Sequence, residues 1–266
     1  MEGLRLKGKT MVITGASSGL GYEMAKLAAK EGANLVLLAR RLDRLELLKQ
    51  KIEQDFATKN VFVYSMDVSK RTDVEQVFAE IFTRFGSIDV LINNAGFGVF
   101  DYAHEAKWED TEAMFQVNVL GLIACTEMVM KDMRARKSGH IINIASQAGK
   151  MATPKSSIYA ATKHAVLGYT NSLRMELARD NVHVTAVNPG PIATDFFTTA
   201  DPSGAYVENV GRWMLQPEKV AKAIIEVIGT NKREINLPKW MNAGSIFYTL
   251  FPRVVERLGR KAFFKK

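Results

Sequence analysis

Apolar, β-branched runs of strand length alternate along the chain with longer segments whose apolar residues recur at helical spacing. The pattern predicts strands over 9–14, 34–39, 61–66, 89–93, 140–145 and 182–188, and a short last strand over 233–237. Helices are predicted over 19–31, 41–56, 73–85, 109–136, 157–180 and 217–228. The strand at 34–39 (NLVLLA) is apolar almost throughout, as expected when helices cover both faces of a sheet. Strand–helix alternation implies right-handed crossovers, so the expected fold class is α/β, a single doubly wound parallel sheet flanked by helices on both faces. No linker, repeat or low-complexity segment interrupts residues 1–240, which read as one domain. The longest stretch without clear period is 189–216. It begins where the sixth strand ends and should overhang the crevice beyond the carboxyl ends of the strands as a lid.

Composition narrows the classes further. The chain has 266 residues, 47% hydrophobic and 24% charged, enough for a full α/β core and ordinary for a globular protein. Its one cysteine, Cys125, excludes an internal disulfide and a cysteine metal cluster, and it fits a reducing, cytoplasmic compartment. His104, His140, His164 and His183 are scattered without metal-ligand spacing, so no metal site is expected. Residues 1–10 are charged and the apolar run after them stops at Gly15, so no secretory signal is expected. No stretch reads as the roughly 18 apolar residues that a membrane-spanning helix needs.

The net charge is +8, but its location matters more than its size. Residues 253–266 hold six basic side chains against one acidic, so five of the eight net charges sit in this tail and the body is nearly neutral. Nucleic acid is therefore not an expected partner. Within the extension 241–266, Phe251, Val254, Val255, Leu258 and Ala262 follow helical spacing. Arg253, Arg257, Arg260 and Lys261 lie largely off that stripe, and Phe263-Phe264-Lys265-Lys266 ends the chain. Three uses fit a basic amphipathic helix: peripheral contact with an anionic membrane, a subunit contact, or a cover over the substrate mouth.

Candidate chemistry begins between the first strand and first helix, at 14–21 (TGASSGLG). Gly15 lets the chain turn out of the strand, Gly19 lets the backbone approach a pyrophosphate, and Gly21 allows helix and sheet to pack closely. Free amides at the helix start, including that of Leu20, would then face the anion. The second strand ends in Arg40 and Arg41 where NAD binders place an acidic residue on the ribose hydroxyls. Arg40, with the hydroxyls of Ser17 and Ser18, suits a 2′-phosphate, which points to NADP(H); the competing reading leaves both arginines as solvated residues before a helix. Asp43 reads as a helix-start carboxylate.

With these motifs the sequence resembles the short-chain dehydrogenase/reductase family from about residue 9 to 237. The glycine turn, Asn94-Ala95-Gly96 after the fourth strand, and Asp67-Val68 match the family's adenosine-side signatures. Asn118, Ser146, Tyr159 and Lys163 match its catalytic tetrad, and Pro189, Gly190, Ile192 and Thr194 lie in its nicotinamide-flanking segment. The resemblance implies a Rossmann-like catalytic domain acting on a small carbonyl or alcohol substrate, commonly as a dimer or tetramer. It also implies that Lys163 binds the nicotinamide ribose and that Asn118 holds a water for proton relay.

Tyr159 and Lys163 stand four apart, one turn on a shared helix face. An ammonium about 4 Å from the phenol, at an effective dielectric near 20, favours the phenolate by at most roughly 4 kcal/mol. Half of that lowers the phenol pKa by about 1.5. Tyr159 is thereby expected to act as general acid in reduction and general base in oxidation, with Ser146 binding the substrate oxygen. Phe196, Phe197, Tyr206, Trp213 and Met214 in the lid suggest an apolar substrate, or else only anchor the lid. The alternative from another class is a non-catalytic NADP-binding sensor on the same fold.

Overall fold

The computed structural model describes residues 4–263, and side chains through Gly259. Seven parallel strands form one sheet in the order β3-β2-β1-β4-β5-β6-β7. They are β1 (Thr10–Thr14), β2 (Asn34–Ala39), β3 (Val61–Ser65), β4 (Val90–Asn93), β5 (Gly139–Ile144), β6 (Val182–Pro189) and β7 (Glu234–Leu237). The chain steps outward from β1 to β3, then returns to β4 on the other side of β1. That reversal opens a crevice at the carboxyl ends of β1 and β4.

Helices cover both faces, as the continuous apolar strands require. Met11 and Ile13 of β1 pack with α1 (Gly19–Lys30), α2 (Leu42–Phe56) and α9 (Pro217–Glu226). Val12, pointing the other way by the period of two, joins α3 (Arg71–Phe85), α5 (Leu122–Arg136) and α6 (Ser157–Leu177). Cys125 lies buried in this second layer, and burial pushes its thiol up to about 12, so it is an inert core group. Asp43 falls in the first turn of α2, as its helix-start reading requires.

The helix expected over 109–136 is not uniform. Between α4 (Trp108–Phe115) and α5, residues Gln116–Gly121 form a π-helical turn that carries Asn118. The whole segment Trp108–Arg136 has 29 residues and a mean hydropathy of 1.5 in its most apolar window, long and apolar enough to cross a membrane by length and composition. This corrects the sequence expectation that no such stretch exists. Half of that window is buried in the protein, and Val129 and Met133 pack in the layer under the sheet, which is how a core helix passes the same test.

The segment 189–216 is also more ordered than its weak period suggested. It holds α7 (Phe196–Ala200), α8 (Ala205–Val210) and a 3-10 turn at Gly211–Trp213. Its ends are tied together: Leu215 N donates to Pro191 O at 2.7 Å and Ala193 N donates to Leu215 O at 2.9 Å. After β7, α10 (Lys239–Leu250) and α11 (Pro252–Phe263) complete the described chain. Phe264, Lys265 and Lys266 of the basic tail lie outside the described residues.

Candidate active site

A cavity of about 660 Å³ occupies the crevice at the β1/β4 reversal. One end is built by the glycine turn. Gly15 has φ +66°, and a Cβ there would meet Ala95 Cα at 2.8 Å, so only glycine lets β1 leave the sheet so close to the end of β4. Asn94 pins the turn from the other strand: its Nδ2 donates to Thr14 O at 3.0 Å and Gly15 O at 3.1 Å. Thr14 Oγ1 in return accepts from the backbone N–H groups of Asn94 and Ala95, both at 3.0 Å.

Helix α1 begins at this turn with no side-chain cap from Ser18 and no acidic residue in its first turn. Gly19 and Leu20 at its start line the cavity, so the positive end of the helix dipole lies there. A Cβ on Gly21 would collide with the carbonyl oxygen of Gly15, so glycine is required there too. Gly19 has φ +55°, and Thr194 lies over it, with its Cβ 3.2 Å from where a side chain would begin. The segment after β6 thus reaches across to the glycine turn.

Every cofactor residue expected from the sequence lines this cavity: Gly15, Ser17, Ser18, Gly19, Leu20, Arg40, Asp67, Val68, Asn94, Ala95, Gly96, Tyr159, Lys163, Pro189, Gly190, Ile192 and Thr194. Asp67 is held by Ser69, whose N–H and hydroxyl donate to its Oδ1 at 3.0 and 2.7 Å. At the β2 end the structure adds a residue. Arg41, and not Arg40 alone, faces the serine pair: its Nη2 donates to Ser17 Oγ at 3.3 Å and Ser18 Oγ at 3.4 Å. Arg40, Arg41, Ser17 and Ser18 therefore line this end of the cavity together, a donor set suited to an anion.

The other end gathers Ser146, Tyr159 and Lys163. Ser146 follows β5 and starts a short 3-10 turn, with its Oγ accepting from Ala148 N at 3.0 Å. Tyr159 and Lys163 project from one face of α6, and Lys163 Nζ lies 5.7 Å from the Tyr159 ring centroid. Lys163 Nζ donates to Ile144 O at 2.9 Å. Asn118 does not line the cavity. It is buried on the π-helical turn, where Oδ1 accepts from Phe97 N at 3.0 Å and Nδ2 donates to Phe97 O at 2.8 Å and Thr162 Oγ1 at 3.2 Å. It clamps the loop after β4 to the helix that carries Tyr159 and Lys163.

The protonation balance differs from the sequence expectation. Burial pushes the Tyr159 phenol up to about 12, against a smaller opposing effect of its hydrogen bond with Ser146. Burial also pushes the Lys163 ammonium down to about 8. Both groups lose their water on burial, and for each that loss is the larger effect.

Aromatic rings wall the reactive end. Phe100, which the sequence reading did not single out, and Phe196 stand edge-on or tilted to Tyr159 with centroids 5.8 and 5.7 Å away. Phe197 and Tyr206 stack at 5.0 Å and are both buried, so they anchor the lid as well as line the cavity. Trp213 lines the cavity, whereas Met214 only packs against the aromatic cluster. Trp240 and Met241 of α10 complete the wall. Phe100 follows a strand at the carboxyl edge, a position that topology marks as functional. No local signal in the sequence brings α10 back over the cavity, because that depends on where β7 docks.

With this geometry in place, the comparisons decide the family. A family model described as short chain dehydrogenase matches residues 9–203. The chain belongs to the short-chain dehydrogenase family. It is 38% identical over 224 residues to an uncharacterized oxidoreductase of Staphylococcus saprophyticus, covering 82% of this chain and 89% of that one. It is 35% identical over 235 residues to a farnesol dehydrogenase of Aedes aegypti, covering 86% and 93%. Among solved structures, an alcohol dehydrogenase from Thermococcus sibiricus complexed with 5-hydroxy-NADP superposes with a TM-score of 0.78 at 28% identity, covering 86% of this chain and 95% of that one. A 3-ketoacyl-(acyl-carrier-protein) reductase from Brucella melitensis complexed with NADH gives 0.79 at 28%, covering 87% and 97%. The chain is thus an oxidoreductase of this family on a Rossmann-type sheet.

The buried lysine has a testable consequence. Its pKa of about 8 in the fold lies below the usual 10.5, so the unfolded chain binds more protons between those pH values. Stability relative to a Lys163→Met variant should therefore rise from about pH 8 to 10.5, by up to roughly 3 kcal/mol. Urea melts of both proteins across this range check it; a gap that stays constant or falls contradicts the buried, partly neutral lysine.

Proposed function

We propose that the protein is an NADP(H)-dependent oxidoreductase that transfers a hydride between nicotinamide and a carbonyl or secondary-alcohol carbon of an apolar substrate. The observation that carries this reading is the sharing of one cavity by Ser146, Tyr159 and Lys163, a side-chain-free glycine turn, two arginines and an aromatic wall. The cradle at Gly15 and Gly21, which a Cβ would fill, fits a dinucleotide pyrophosphate against the uncapped start of α1. Ser17, Ser18, Arg40 and Arg41 suit a 2′-phosphate, where NAD binders present an acidic residue to the ribose. Bound there, the nicotinamide supplies the hydride or takes it up.

The residues of the chain manage the proton. A phenol held near 12 stays protonated at neutral pH, which suits it to donate its proton to a substrate oxygen as that oxygen becomes an alkoxide. Ser146 hydrogen-bonds the same oxygen while charge grows on it, so the two hydroxyls act as the oxyanion site. Lys163, still largely an ammonium at pH 7, stabilises the phenolate left behind. Asn118, to which the resemblance assigns a relay water, lies off the cavity wall with its amide engaged by Phe97 and Thr162, so here it acts by fixing the loop after β4 against α6. Phe100, Phe196 and the lid exclude bulk water and match an apolar carbonyl compound. The reaction takes place in the domain expected over residues 1–240, with 189–216 as its lid and the start of α10, through Met241, completing the wall.

One substitution tests the assignment. Tyr159→Phe keeps the ring and loses the proton, so turnover of an apolar ketone should fall by at least about 100-fold while NADPH still binds. Retention of turnover within threefold would remove Tyr159 from the chemistry. If neither protein turns over any carbonyl compound although both bind NADPH, the chain is a sensor and the catalytic reading fails.

Calorimetric titration addresses the cofactor. NADPH should bind at least tenfold tighter than NADH, from roughly 1.5–3 kcal/mol per charge-assisted contact. The double variant Arg40→Asp/Arg41→Asp should narrow or invert that ratio; equal affinities in the parent protein would refute the preference.

A further inference from the structure

Helix α10 is amphipathic with its faces reversed. Its inward side carries Met241, whose Sδ lies 2.7 Å from where a Cβ on Gly190 would begin, the buried Ser245, and Asn242, whose Oδ1 accepts from Lys150 Nζ at 3.1 Å. At 100° per residue, Trp240, Phe247 and Leu250 fall on the opposite arc, with Ile246 at its edge and Phe251 just past the helix end, and each is at least 46% exposed. Water-facing rows of this length on a helix normally carry polar side chains.

Helix α11 follows directly and carries exposed apolar residues of its own. Tyr248 OH donates to Glu256 Oε1 at 3.4 Å, tying the two helices together. Val254 and Leu258 share one arc of α11 and are 46% and 78% exposed, while Arg253 and Arg257 are exposed on another. By sequence, residues 253–266 carry six basic groups against one acidic. An apolar arc bordered by cations matches the interface of an anionic bilayer, where the apolar side chains enter the acyl boundary and the cations meet headgroups. A second copy of this chain is a poorer match, because a two-fold contact would bring two such basic tails together.

Trp240 belongs to both surfaces: it lies on the exposed arc and lines the cavity, meeting Trp213 of the lid edge-on at 5.8 Å. We propose that α10 and α11 dock on an anionic lipid surface, and that docking sets the Trp213–Trp240 mouth of the cavity against the lipid, so that an apolar carbonyl compound enters from the membrane. The entry route, but not the docking, rests on the function proposed above.

The test uses the full-length protein and vesicles of phosphatidylcholine with and without about one third phosphatidylserine. Protein should sediment with the anionic vesicles at low salt, bind pure phosphatidylcholine at least tenfold more weakly, and detach as ionic strength rises. Leu250→Glu/Leu258→Glu should weaken sedimentation at least tenfold while NADPH binding stays within twofold. In a Trp108→Phe/Trp213→Phe background, brominated lipid should quench the remaining Trp240 emission. Sedimentation without that quenching overturns the placement of the mouth. Failure to sediment at low salt overturns docking, and if Leu250→Glu/Leu258→Glu then lowers the subunit count by light scattering, the face belongs to a second copy. Docking with no carbonyl turnover leaves docking standing and counts against the proposed activity alone.

Discussion

At the end of β1 there is no room for a side chain, and the site depends on that constraint. Gly15 turns against the backbone of Ala95, and Gly21 packs against the turn itself. Asn94 and Thr14 then lock the ends of β4 and β1 together with hydrogen bonds that leave the first amides of α1 free. A buried backbone group without a partner costs about 1–3 kcal/mol, so this exchange between two strands is a strong local restraint. It holds open the crevice where the sheet order reverses, and the positive end of α1 faces into it.

The reactive end is governed by water exclusion. Ser146, Tyr159 and Lys163 come from the end of β5 and one face of α6, two rigid elements. Aromatic rings from the loop after β4 and from the lid close around them. The same closure that raises the phenol and lowers the lysine strengthens each remaining hydrogen bond in the cavity. Buried Asn118 links the halves of this arrangement, because a π-helical turn aims its amide at the backbone of Phe97 and at Thr162 of α6.

Much of this was legible in the residues. Strands such as 34–39 announce themselves by uninterrupted apolar character, and the parallel sheet follows from their alternation with helices. The glycine turn was legible because its spacing has a steric reason, and the cavity gathers every cofactor residue that the motifs suggested. What escaped depends on distant parts of the chain. The approach of Arg41 to the serines needs the geometry of two strand ends together. Trp240 reaches the cavity only because α10 folds back over it. The π-helical turn at Asn118 interrupts a segment whose apolar period is helical throughout. The phenol pKa moved opposite to expectation because pairwise attraction can be estimated from spacing, whereas desolvation requires the surrounding walls.

The central claim is that this cavity brings a nicotinamide C4 and a substrate carbonyl carbon together for direct hydride transfer. The most direct measurement is the reduction of an apolar ketone with NADPH deuterated at the transferable C4 position, followed by mass spectrometry of the alcohol. The account predicts one deuterium on the carbinol carbon, with the hydroxyl proton drawn from solvent through Tyr159. Alcohol formed with ordinary hydrogen at that carbon would contradict it.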